Sequence, residues 1–187
     1  MPMTRNVMHL LGESNMDWPK KTEREKLEID GFIKAYAKLP ESQQLEVVSK
    51  GEKPDFVVKD KQSSEEYGVE LTSVYLDDRS VPDAHMKDEE GLVDIPYDKA
   101  ALGKYLKRLI SAIRDKVCKA RRGYDRSRPL ILSIYVNEYI SIYLNKARME
   151  EFVNRYEGFF DAVEPFREVV FWDLPNGDVV RVRSKVT

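Results

Sequence analysis

Two acids occupy positions that a strand seldom gives to a charge. Asp55 opens an apolar stretch directly after Pro54, and Glu70 lies inside Gly68-Val69-Glu70-Leu71-Thr72, where Val69 and Leu71 point to the opposite face of any strand. If the two strands pair through the polar turn at 61–65, the acids converge at one end of the hairpin. Glu28 or Glu25, from a preceding helix, then falls beside them. Three carboxylates so gathered repel one another unless a divalent cation joins them, and Mg2+ held by one or two carboxylates plus a phosphate is the usual solution. The chemistry of such a site is polarisation of a phosphate and activation of water.

These side chains need elements to hold them. Thr22 followed by Glu25 is a capping-box signature, and Ile29, Phe32, Ile33, Tyr36 and Ala37 recur at helical spacing, which predicts a helix over 23–39 ending at Pro40. Glu25 and Glu28 precede Ile29 and Phe32 by one turn, beside the buried stripe. Leu45–Ser49, Asp55–Lys59 and Tyr67–Leu76, separated by Gly51, Pro54 and Lys61-Gln62-Ser63-Ser64, read as an antiparallel meander. Tyr97–Arg122 carries Leu102, Tyr105, Leu109, Ile113 and Val117 at 3–4 spacing, a long helix with a basic flank. The apolar run Leu130–Val136 has the pattern of a strand buried on both faces and belongs at the sheet centre. Asn145–Ala162 reads as an amphipathic helix, Glu168–Asp173 as a strand, and Asn176-Gly177 as the turn of a hairpin to Val179–Val182. A strand, the long helix and the next apolar strand suit a right-handed crossover, so the expected fold class is α/β, a mixed central sheet flanked by helices. Residues 1–21 form an arm and 22–187 a single domain.

The 187 residues are of single-domain size, with 42% hydrophobic and 34% charged residues, which excludes a low-complexity or disordered chain. No apolar run approaches the roughly 18 residues that span a bilayer, and the N-terminal stretch lacks a signal-peptide core, so the reading is cytoplasmic with no membrane partner. Cys118 is the single cysteine, which rules out an internal disulfide or a thiolate cluster and leaves any metal to oxygen or imidazole ligands. His9 and His85 are isolated, one in the N-terminal arm and one in the acidic stretch 77–97.

The net charge of −2 conceals two opposed segments. Gly103 to Arg128 holds ten Lys or Arg against two Asp, and 77–97 is a long acidic, proline-containing loop of the kind that gates a site. Lys119, Arg121, Arg122, Arg126 and Arg128 make a surface suited to a phosphate backbone, binding without reading sequence. Tyr135, Tyr139 and Tyr143 suit core packing or an interface, and Trp172 the last part of the sheet.

The stretch Glu52-Lys53-Pro54-Asp55-Phe56-Val57-Val58, followed by Tyr67-Gly68-Val69-Glu70-Leu71-Thr72, resembles the PD-(D/E)XK motif of the restriction-endonuclease-like nuclease superfamily. The resemblance implies a restriction-endonuclease-like fold and a nuclease that hydrolyses phosphodiester bonds with Mg2+ or Mn2+. By it Asp55, Glu70 and Glu28, with Glu25 as second choice, would be metal ligands, and the Leu71 carbonyl could complete the shell. It implies a nucleic-acid partner, with DNA ahead of RNA and the choice between them left open, and is compatible with a homodimer. The family's motif lysine is Thr72 here, so the catalytic set becomes Asp55, Glu70, Thr72 and a lysine from elsewhere. Lys116 is chosen because it interrupts the apolar stripe after Ile113, ahead of Lys119 and Lys59. The alternative is a catalytically inactive module of the same fold that binds nucleic acid or protein.

Overall fold

The computed structural model describes residues 21–74, 99–136, 138–141 and 143–183. The arm at 1–20 with His9, the acidic stretch 77–97 with His85, and the Tyr139 side chain lie outside the described residues.

Six strands form one mixed sheet in the order β1-β2-β3-β4-β5-β6: β1 Leu45–Lys50, β2 Phe56–Asp60, β3 Glu66–Val74, β4 Leu130–Val136, β5 Phe166–Trp172 and β6 Val179–Arg183. The first three strands are antiparallel neighbours, β3, β4 and β5 run parallel, and β6 returns antiparallel to β5. Every residue of β4 is buried, as its unbroken apolar run requires of a strand covered on both faces. α1 (Lys21–Tyr36) covers one face, where Ile29, Phe32 and Tyr36 pack on Tyr67, Val69, Leu71, Ile131 and Trp172. α2 (Lys99–Gly123) covers the other, with Tyr105, Leu109, Ile113 and Val117 set against Leu130, Leu132, Ile134 and Val169. A short α3 (Glu138–Ser141), α4 (Lys146–Arg155) and α5 (Glu157–Phe160) complete that second layer. Among the described residues no helix is long and apolar enough to cross a membrane.

Two elements differ from expectation. α1 begins at Lys21, so Thr22 lies inside its first turn instead of capping it, and Glu25 pairs with Lys21 and Lys50 at 3.5 and 2.5 Å. Its other end closes early: Lys38 and Leu39 donate to the carbonyls three residues back, the tight winding that ends a helix before Pro40. The single helix expected over Asn145–Ala162 is broken at Tyr156, whose φ of −112° and ψ of 27° leave the helical region. The break turns Phe160 inward, its ring 5.8 Å from Phe152 and from Phe171. Asn145 caps α4 by accepting from the Arg148 N–H.

The β5–β6 turn is organised by buried Asp173, which accepts from the backbone N–H groups of Asn176 and Asp178, while Gly177 adopts a φ of +64°. Trp172 is fully buried, donates to Ser133 Oγ at 2.8 Å, and presses on Gly31 so closely that a Cβ there would meet its ring at 2.7 Å.

Candidate functional site

β2 is shorter than its partner. Its pairing with β3 ends at Phe56 opposite Val69, while β3 runs on to Val74, so Glu70 to Val74 extend past the end of β2. A gap in the sheet follows, and groups from both helical layers enter it. Asp55, the residue before β2, fills the place opposite Glu70, and its Oδ2 accepts from the Leu71 N–H at 2.8 Å, a bond that an extended β2 would otherwise have supplied.

The strand period decides which layer each β3 residue faces. Glu70 points to the α2 side, where its Oε1 accepts from the Lys116 ammonium and from the Tyr124 hydroxyl at 2.6 Å. Lys116 also donates to the Leu71 carbonyl at 3.0 Å. Ser73 points to the α1 side and donates its hydroxyl to Glu28 Oε1 at 2.7 Å. Asp55, Leu71, Ser73 and Lys116, with Lys21, Arg24, Glu25 and Glu28 of α1, line one cavity of about 270 Å³.

The charges inside are strained by their surroundings. Burial, then the neighbouring Glu70 charge, push Asp55 up to about 6 against the opposing pull of the Leu71 N–H and Lys116. Burial likewise pushes Glu28 up to about 7, with Asp55 and Glu25 adding to it, while Ser73 and Arg24 pull down. For Glu25 the order reverses: burial would raise it, but the hydrogen bond and charge of Lys50, helped by Lys21, hold it below the usual range. Burial and the bond to Glu70 raise the Tyr124 phenol, so it remains a donor.

Glu70 Oε2 is buried and has no hydrogen-bond partner among the described residues. A carboxylate oxygen left so costs on the order of 1–3 kcal/mol or more, and a hard cation is a partner that would satisfy it. The donor set fits that group in part: Asp55 and Glu70 offer hard oxygens side by side, and the elevation of Asp55 is of the kind a positive charge relieves. Glu28 is engaged by Ser73, the Leu71 carbonyl by Lys116, and among the described residues no three Asp, Glu, His or Cys close into a metal-binding group.

The other sequence candidates scatter. Thr72 is buried on the Glu70 face, and its hydroxyl has no hydrogen-bond partner among the described residues. Lys59 pairs with Glu46 across β1 and β2 at 3.3 Å, and Lys119 is exposed on α2. Of the expected phosphate-binding bases, three are engaged within the chain. Arg121 donates to the Glu164 and Ala162 carbonyls, Arg126 to the Arg121 carbonyl, and Arg128 pairs with Glu66 and Asp125. Arg122 is exposed, and so is Cys118. Tyr135 is a core residue, 4.7 Å from the Trp172 ring.

Sequence reasoning did not single out Tyr124, Ser73 or Arg24. Tyr124 and Glu70 are separated by 54 residues, and nothing local marks their bond. Ser73 had a signal: it is the polar residue on the face of β3 that β2 leaves uncovered. In comparisons with known proteins, no family model matches the chain, and no curated protein or solved structure matches it.

Proposed function

We propose that the chain is a metal-dependent nuclease with a restriction-endonuclease-like core, hydrolysing phosphodiester bonds, of DNA rather than RNA, at the gap beside β3. The observation that carries this reading is Glu70: a buried carboxylate with one oxygen shared by Lys116 and Tyr124, and the other turned from every donor described. Asp55 is the second hard ligand, fixed by the Leu71 N–H. The chemistry that Mg2+ or Mn2+ supplies at such a pair is charge on a phosphoryl oxygen and acidification of water. Lys116 provides the ammonium that Thr72 cannot, held by Glu70 and the Leu71 carbonyl where it can meet a phosphate oxygen or orient an attacking water. Tyr124 keeps the Glu70 carboxylate in place from behind. Glu28, raised to about 7, is suited to exchange a proton near neutrality at the same cavity.

The test is cleavage of supercoiled plasmid and of single-stranded RNA in Mn2+, comparing the native chain with Asp55→Ala and Glu70→Ala. The expected result is metal-dependent nicking that drops by at least about a hundredfold in either variant. Cleavage that survives both substitutions removes these residues from the mechanism.

A second reading rests on one observation. Lys116 already neutralises Glu70 and occupies the Leu71 carbonyl, which is the place a cation would take. On that reading the chain is a non-catalytic nucleic-acid-binding or protein-interaction module, and it binds without Mn2+ and without turnover.

A further inference from the structure

Arg24 lines the same cavity as Asp55 and Lys116 but takes no part in holding the acids by hydrogen bonds. Lys116 is committed to Glu70 and to the Leu71 carbonyl. Lys21 and Lys50 are committed to Glu25. Arg24 acts on Glu28 through its charge alone, and its Nε is buried with no acceptor among the described residues. A buried donor left unpaired is destabilising, and a phosphate seated against the guanidinium would offer it the missing acceptor. Guanidinium is also the side chain whose planar fork matches two phosphate oxygens at once.

We infer that Arg24 grips a phosphate of the substrate backbone next to the one that reacts, so that the strand lies across the first turns of α1 with Lys116 on its far side. The inference rests on the nuclease reading of the cavity. A nucleic-acid strand carries an anion at every nucleotide, and a cavity that positions only the reacting phosphate leaves the strand free to pivot about it. Arg24 supplies the second point of attachment. Glu28 lies within reach of its charge, so the guanidinium is steered toward the cavity rather than toward bulk water.

The experiment separates this claim from the reading beneath it. The native chain, Arg24→Ala and Arg24→Lys are titrated with a short fluorescein-labelled DNA duplex and the matching single strand, in Ca2+ to suppress cleavage, at several salt concentrations. Mn2+ binding without nucleic acid is measured in parallel by calorimetry, and thermal melting checks each fold. Arg24→Ala is expected to leave Mn2+ affinity within about twofold. It should reduce the slope of log affinity against log salt by nearly one unit, the loss of one phosphate contact, with Arg24→Lys restoring most of it. Plasmid cleavage should show a raised KM with a smaller change in kcat. An unchanged salt slope and KM with Mn2+ still bound overturns the Arg24 inference and leaves the metal site standing; an arginine that only offsets Glu28 gives that outcome. If the native chain binds neither nucleic acid nor Mn2+, both claims fall.

Discussion

At the scale of single residues, the site is a set of charges kept in place by partners of opposite demand. Lys116 is the pivot, because among the described residues it is the cation paired with Glu70, a carboxylate only 3% exposed. Lys116→Met leaves Glu70 with Tyr124 as its single donor, and we expect a loss of roughly 2–4 kcal/mol in urea unfolding. Glu70→Gln combined with Lys116→Met should lose less than the two singles summed, since the double variant buries no unpaired charge. Glu28 gives the pH dependence. Its folded value of about 7 exceeds the ordinary 4.5, so the folded chain holds a proton that the unfolded chain has released between those values. Stability from this group is therefore complete below about pH 4.5 and is lost as pH rises through 7. Glu28→Gln, melted in EDTA, should exceed the native chain at pH 8 by on the order of 2–3 kcal/mol and match it near pH 4. A native advantage at pH 8 would contradict the burial argument.

At the scale of elements, the site exists because β2 stops early and Asp55 stands at its end. Pro54 holds that end by packing on Gly68, where an added Cβ would lie 2.6 Å from Pro54 Cγ and from Leu130 Cδ2. Gly68→Ala should therefore cost about 1–3 kcal/mol and move Asp55 off the Leu71 N–H, so Mn2+ affinity falls along with the melting temperature. All six strands and the two long helices were legible in the sequence, because period-2 alternation, the all-apolar Leu130–Val136 run and the Asn176-Gly177 turn are local signals. The break at Tyr156 was not legible: aromatic residues at 152, 156 and 160 keep helical spacing, and the inward turn of Phe160 is decided by Phe171 on a distant strand. Lys116 stood out locally as a cation within an apolar stripe. Its contact with Glu70 depends on a strand–helix packing that no spacing encodes. The contacts of Arg121 at the end of α2 and of Arg126 after it were not legible, because charge counts do not reveal carbonyl groups, and both donate to backbone oxygens.

At the scale of the whole molecule, three layers meet at one opening. α1 brings Arg24, Glu25 and Glu28 from one face and α2 brings Lys116 from the other, β3 carries Leu71 and Ser73 into the same cavity, and Glu70 stands behind it, joined to it through Lys116. The central claim is that Asp55 and Glu70 together hold a divalent ion. Calorimetric titration of the native chain with Mn2+ at pH 7.5, repeated on Asp55→Asn and Glu70→Gln, tests it most directly. One ion per chain is expected, with affinity lowered at least about tenfold by each substitution while both variants remain folded. No measurable Mn2+ binding by the native chain, or binding that both variants retain in full, would contradict it.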